Sequence, residues 1–296
     1  MTLNQLRYFQ AVCQYHSISK ASAMLHVTQP AVSIALSNLE EEFGVTLFSR
    51  DNRLLEITDA GQVFLMLVNE VLANVDAIYE KMKDLQSNNC LLRLSIVPFS
   101  FSRNIQRIID DFQSAASENK MNVYEYGSKT ALQKLKTNQI DMALTVALSE
   151  KPNYIEGLWL YDENSVLAVG KDNPLASRSE ISYSELSDSS LIMAKEDSYL
   201  TIMIEQRFKE VGVKPSSIYY FAQPNLIASI LSSNKNSAAI LSESLCESIQ
   251  DIVRIPIIDP VNIKHLLLWK KGVQLTPGMK LFIKQMKKMY PQAAPY

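Results

Sequence analysis

Residues 17–58 read SISKASAMLHVTQPAVSIALSNLEEEFGVTLFSRDNRLLEIT, and their order decides the fold of the N-terminal part of the chain. Thr28 supplies a hydroxyl able to cap a helix, and Pro30 falls in the first turn of that helix, where no backbone donor is lost. Val32, Leu36, Leu39 and Phe43 then recur at spacings of four, three and four, which predicts one buried stripe. Gly44 follows as the left-handed stop. The other face carries Gln29, Ser33, Ile34 and Ser37, side chains of a size to enter a DNA groove. Beyond Gly44, Leu47-Phe48 and Leu54-Leu55-Glu56-Ile57 flank the turn-favouring pair Asp51-Asn52, predicting a hairpin with Arg50 and Arg53 on either side of its tip. A short helix before Thr28, a tight turn, a second helix and a hairpin make a winged helix-turn-helix.

Upstream, Thr2 and Gln5 form a capping box, and Leu3, Leu6, Phe9 and Val12 share one face of a helix expected to pack beneath the next two. Ser17 and Ser19 can cap the short helix, and Lys20 at its start can reach a phosphate. Downstream, Thr58 caps a long helix running to about Leu85. Phe64, Val68, Val71, Val75, Ile78, Met82 and Leu85 alternate spacings of four and three, the coiled-coil period. The segment spans roughly 40 Å at 1.5 Å per residue, so a second copy is expected to cover the stripe. The period alone leaves open a helix folded back on its own domain. Gln86-Ser87-Asn88-Asn89 ends it as a polar hinge.

From Cys90 onward strands alternate with helices, as in α/β proteins. Leu91–Val97, Met121–Tyr126 and Asp141–Val146 read as strands, with helices at Ile105–Phe112 and through Leu132 and Leu135. Ser184–Ala239 holds further alternations, and Thr276-Pro277 caps a last helix.

The chain has 296 residues, 47% of them hydrophobic and 20% charged, an ordinary soluble composition with room for two or three domains. No apolar run approaches the ~20 residues of a membrane span, and MTLNQLRYFQ has neither the basic lead nor the apolar core of a secretory signal, so a cytoplasmic protein is expected. Net charge is −2. Residues 1–60 set only Arg7, Lys20, Arg50 and Arg53 against Glu40, Glu41, Glu42, Asp51, Glu56 and Asp59, so few basic side chains are there to face phosphates. This predicts modest DNA affinity per domain and more than one DNA-binding domain per complex. Cys13, Cys90 and Cys246 form no CxxC pair, and His16, His26 and His265 have no ligand spacing, so no metal site is expected.

The run from Ala21 to Gly61 resembles the DNA-binding domain of LysR-type transcriptional regulators along its length. Gln29-Pro30-Ala31-Val32-Ser33, Leu47-Phe48-x-Arg50 and Thr58-x-Ala60-Gly61 stand in the family's order. One departure is that the positions after Ser33, often Arg, Lys or Gln in the family, are Ile34 and Ala35 here. The resemblance implies a multi-domain protein: a winged helix-turn-helix at 1–58, a linker and dimerisation helix with hinge at 59–89, and a two-lobed α/β effector domain at 90–296. That domain would be similar to a type 2 periplasmic binding protein, with one lobe at about 90–161 and 268–296 and the other at about 162–267. The stretch Val166–Val169 with Asn173-Pro174-Leu175-Ala176 matches the family's passage into the second lobe. The family's Gly-rich turn there is replaced by Ser233, Asn234, Asn236 and Ser242.

The resemblance also implies partners and sites. Thr28, Gln29, Pro30, Ser33, Ile34 and Ser37 would address bases or nearby backbone of a promoter inverted repeat, with Ser19, Lys20, Arg50 and Arg53 on the duplex backbone. The linker stripe Phe64, Val68, Val71, Val75, Ile78, Met82 and Leu85 would form a homodimer, and two dimers a homotetramer. RNA polymerase is a further partner if the protein activates, and no membrane is expected. A small molecule between the lobes would meet Ser100, Phe101, Ser102, Ser128, Ser198 and Thr201. Hydroxyl-capped helix N-termini there favour an organic anion. The signatures GxSxG, HExxH, GxxxxGK[ST] and GxGxxG are missing, so no catalytic residue and no cofactor is expected. Alternatives are a regulator responding through oxidation of Cys246, and a solute-binding or enzymatic α/β protein.

Overall fold

The computed structural model describes all residues except 50–54, 87–89, 98–103, 116–118, 147–150, 195, 197 and 222, and the side chains of 81, 84–86, 90, 119 and 248. The expected wing tip with Arg50 and Arg53, the polar hinge, and Ser100, Phe101 and Ser102 lie outside the described residues, as does the side chain of Leu85. The chain divides into two compact units, Met1–Lys83 and Asp84–Tyr296.

The first unit runs α1 (Leu3–Tyr15), α2 (Ile18–Met24), α3 (Gln29–Phe43), β1 (Phe48–Ser49), β2 (Glu56–Ile57) and α4, whose full span is Asp59–Gln86. The Thr2–Gln5 capping box forms at α1, Ser17 Oγ accepts the Lys20 N–H at α2, and Gly44 ends α3 at φ 65°. Leu6, Phe9, Val12, Val32, Leu36, Leu39 and Leu47 close one core, with Phe9 in ring contact with both Phe48 and Phe64. Four expectations need correction. Leu3 is exposed as the first residue of α1, almost one turn before the first buried residue, Leu6. Phe43 is 45% exposed, because the stripe runs past the core edge and only one side of its ring meets Phe64. Thr28 occupies the N-cap of α3, yet its side chain makes no capping bond there. Ser19 lies inside α2, where its hydroxyl instead donates to Gln29 Oε1 at 3.1 Å.

Helix α4 has two different faces. Phe64, Leu65, Val68 and Leu72 pack on the core of the first unit, while Val63, Leu67, Val71, Ile78 and Met82 are exposed. Phe64 and Val68 therefore serve their own domain rather than an exposed stripe; Val75 is half-buried. Both readings left open by the period apply, to adjoining faces of one helix. Over Asp59–Glu80 this helix is also long and apolar enough to cross a membrane by length and mean hydropathy, contrary to expectation. Along it Asn69 is bonded to Gln10 and Asp76 paired with Arg7.

The second unit repeats one plan. β3 (Cys90–Ile96), α5 (Ile105–Ala115), β4 (Asn119–Glu125), α6 (Ser128–Lys136) and β5 (Met142–Val146) give parallel strands in the order β4-β3-β5. β7 (Ser190–Met193), α7 (Tyr199–Glu210), β8 (Ser217–Tyr220), α8 (Pro224–Ser233) and β9 (Ser237–Ser242) give β8-β7-β9 in the same way. One strand, β6 (Ile155–Gly170), serves both. Its residues 155–164 pair with β11 (Asn262–Lys270), and the remainder with β9 and β10 (Ile252–Pro256). The chain completes with α9 (Glu243–Ser248), α10 (Pro277–Met289) and a two-residue β12 (Ala294–Pro295) on β6. Helices cover both faces of the strands, so β5 and β9 are buried at every position. The crossing between lobes falls at Asn164/Ser165 outward and Val261/Asn262 on return, where the Ser165 N–H donates to the Val261 carbonyl and Ser165 Oγ accepts the Val261 N–H. The return is thus several residues earlier than residue 267.

Thr58 joins α4 to the core: its hydroxyl donates to the Thr46 carbonyl at 2.7 Å and accepts the Gly61 N–H. At Gly61 a Cβ would stand 2.3 Å from the Leu47 carbonyl oxygen and 2.6 Å from an Ile57 carbon. Helix propensity alone favours alanine there by about 1 kcal/mol. The collision reverses that sign: Gly61→Ala should destabilise the first unit by ~1–3 kcal/mol in urea unfolding.

Candidate functional site

The outward face of α2 and α3 is a small polar surface around an apolar centre. Ser19, Lys20, Thr28, Gln29, Pro30, Ile34 and Ser37 are exposed, and Ser33 is half-buried. Ala35, by contrast, is buried, so of the two positions after Ser33 only Ile34 faces outward. The bond from Ser19 fixes the Gln29 amide and links the two helices of the motif. Sequence reasoning missed Glu40. Its carboxylate accepts the Leu47 and Phe48 N–H groups at 2.7 and 3.2 Å, which sets where the wing leaves α3. A carboxylate on the half-buried side of an otherwise apolar stripe was the available signal.

In the second unit, Val97 and Val146 follow or end β3 and β5, while Ala194 and Leu241-Ser242 follow or end β7 and β9. The carboxyl ends of the parallel strands of both lobes therefore meet on one cleft. Ser198 and Leu200 of α7, Leu245 of α9, and Ile263 and His265 of β11 complete its lining. Ligands of open α/β sheets bind at such strand ends. The space among the described residues is about 30 Å³, room for a water or two and far below that of a drug-sized ligand.

The expected hydroxyls divide here. Ser198 is the N-cap of α7, makes no side-chain cap bond, and lines the cleft. Ser128 is the first residue of α6 rather than its cap, a place held by Gly127; its hydroxyl is fully buried without a partner among the described residues. Thr201 is the third residue of α7, not a cap, and its buried hydroxyl donates to the Ala194 carbonyl at 3.1 Å. It thus holds the β7–α7 turn and does not line the cleft.

A second feature that sequence reasoning missed stands at the lobe crossing. His265 Nε2 and Glu163 Oε1 are 2.5 Å apart, with side-chain exposures of 1% and 8%. The other Glu163 oxygen accepts the Ser244 N–H of α9 at 2.9 Å. The His265 ring stacks on Tyr161, which stacks in turn on Tyr290 of the terminal segment. Burial opposes the charged form of Glu163, but hydrogen bonds from His265 and Ser244 outweigh it and hold the carboxyl below its ordinary value. One carboxylate thus ties β6, β11 and α9 together beside the cleft. A charged residue and a histidine inside apolar strands mark the pair in the sequence, but their partnership across a hundred residues is not readable there.

Burial pushes the thiols of Cys13 and Cys246 up to about 12, so neither is a thiolate near neutral pH.

A winged helix-turn-helix joined to a two-lobed unit with a strand-end cleft defines a DNA-binding regulator with a sensor domain. The sequence profile described as "Bacterial regulatory helix-turn-helix protein, lysR family" matches residues 3–62, and that described as "LysR substrate binding domain" matches residues 86–291. The chain belongs to the LysR family of transcriptional regulators and is not an enzyme. It is 27% identical over 291 residues to the uncharacterized HTH-type transcriptional regulator YwbI of Bacillus subtilis, covering 97% of this chain and 96% of that one. It is 24% identical over 278 residues to the HTH-type transcriptional regulator BenM of Acinetobacter baylyi, covering 93% and 91%. The crystal structure of CbnR, a LysR family transcriptional regulator, shares the fold with a TM-score of 0.68 at 18% identity, over 98% of this chain and 99% of that one. CbnR in complex with its target DNA gives 0.67 at 20% identity, over 97% and 99%.

Because the Glu163 carboxyl lies below its ordinary 4.5 in the folded chain, its contribution is complete above that pH and fades as pH falls through the folded value. Glu163→Gln should lose about 2 kcal/mol at pH 7. The gap between variant and wild type should narrow below pH 4.5, as read from urea midpoints across the range.

Proposed function

We propose that this regulator reads a promoter inverted repeat through α3 and its wing, in the cytoplasm, and that a small molecule held between the lobes changes how paired DNA-binding units are spaced. Thr28, Gln29, Pro30, Ser33, Ile34 and Ser37 face the bases and nearby backbone, while Ser19, Lys20, Arg50 and Arg53 meet the phosphates. Two copies join through the exposed stripe of α4, around Val71, Ile78 and Met82, and two dimers form a tetramer. If the complex activates transcription, RNA polymerase is the further partner. The relation to CbnR, whose structure holds its target DNA, supports the DNA partner.

The observation that carries the sensor reading is the convergence of both lobes' strand ends on one cleft, whose apolar wall is Val97, Val146, Leu200, Leu241, Leu245 and Ile263. The N-termini of α6 and α7, with the hydroxyls of Ser128 and Ser198, favour an anionic group, and Ser100, Phe101 and Ser102 would be further contacts. A thermal-shift screen of small mono- and dicarboxylates should find at least one that raises the melting temperature. Ser128→Ala should weaken that compound about tenfold without changing DNA binding in its absence. A panel without a single shift would count against the anion.

The assembly is tested separately. Val71→Asp with Ile78→Asp places charges on side chains that are 41% and 61% exposed in the single chain, so the fold should survive. In the dimer seam the same charges are buried and unpaired, at a cost of several kcal/mol. Sedimentation of the double variant should show monomer, with DNA affinity falling in parallel.

A further inference from the structure

We propose that Ile34 is a specificity-determining residue that packs on the C5 methyl of a thymine in the major groove. The inference rests on α3 being the DNA-reading helix and goes beyond it to a base. Ile34 is 60% exposed, although every other large aliphatic residue between Val32 and Leu39 is buried. It points away from the core stripe of Val32, Leu36 and Leu39, in the first half of the helix, with exposed Pro30 one turn before it and exposed Ser37 almost one turn after. Ala35 beside it turns into the core, so the outer centre of the reading helix is an isoleucine.

The neighbours narrow what that isoleucine can meet. Gln29 is held by Ser19 and lies at the N-terminal end of α3, where an amide reaches base edges. An isoleucine in the same surface adds nothing to phosphate attraction and leaves apolar area in water while the protein is free. Of the groups that a B-DNA major groove presents, the thymine methyl is the apolar one. A methyl contact is sequence information, whereas a basic side chain at this position would add affinity for all DNA alike.

The operator is found first: full-length wild type selects its preferred duplex from a pool carrying a random segment of about three helical turns. That duplex is then remade with each thymine replaced singly by deoxyuridine, which lacks only the methyl. Anisotropy titrations should show one thymine per half-site at which the replacement weakens wild type about three- to fivefold. Ile34→Ala should lose the same factor on the thymine duplex and be indifferent to uracil at that position. Its binding to an unrelated duplex, and the salt dependence of that binding, should match wild type. Ile34→Arg should bind every duplex more tightly and discriminate less. The inference falls if no single uracil weakens wild type, or if Ile34→Ala loses as much on substitution as wild type does. The uracil series on wild type stands even if a variant fails to fold. A pool from which wild type enriches no sequence would overturn the DNA-reading role of α3 itself, a different result from an enriched site that tolerates uracil.

Discussion

Helix α4 buries Val68 and Leu72 on one face against the DNA-binding core and leaves Val63, Leu67, Val71, Ile78 and Met82 in water on the face beside it. Both faces are apolar, and a single chain has only one core to offer in that unit. Scattered exposed apolar residues are ordinary, but five on one stripe of one helix make a patch of the kind that marks an interface. In the proposed dimer this stripe is the seam. The adjoining face anchors α4 to the DNA-binding core through Phe64, Thr58 and Gly61, which would couple the proposed seam to α3. The scarcity of basic residues in 1–60 fits the same constraint, since one such unit alone has little hold on a duplex.

The second unit solves a different problem. Two copies of a β-α-β-α-β plan share β6, and both aim the ends of their parallel strands at one cleft. The crossing is only two strands wide, secured by Ser165 with Val261 and by Glu163 with His265 and Ser244. These bonds lie beside the cleft. A ligand that prefers one arrangement of the lobes shifts the balance by its differential affinity for the two.

Much of this was legible in the sequence, for physical reasons that differ by element. The helices of the Ser17–Thr58 stretch were readable because the Ser17 cap, the Gly44 stop and the Val32-Leu36-Leu39 stripe all act locally. Phe43 was misread because periodicity says which side of a helix is apolar, not where the core beneath it ends. The α4 heptad pattern was real, but the core beneath it reaches only the first turns of the helix, so it takes Phe64 and Val68 and leaves Ile78, on the same stripe, in water. The cleft hydroxyls were the hardest. Ser128 and Thr201 sit one and three residues into their helices, and whether such a hydroxyl is orphaned or bonded depends on a carbonyl such as that of Ala194, brought in by another element. Glu163 and His265 were invisible as a pair because their meeting is set by the β6–β11 register, with a bulge directly at His265.

Whether a second copy of the chain completes α4 is decided by sedimentation equilibrium of the wild-type protein without DNA or ligand. The expected mass is two or four times 33.4 kDa at micromolar concentration, with no single-chain species at the lowest loading. A particle of 33.4 kDa that persists as concentration rises would contradict the dimer seam and, with it, the coupling of α4 to DNA reading.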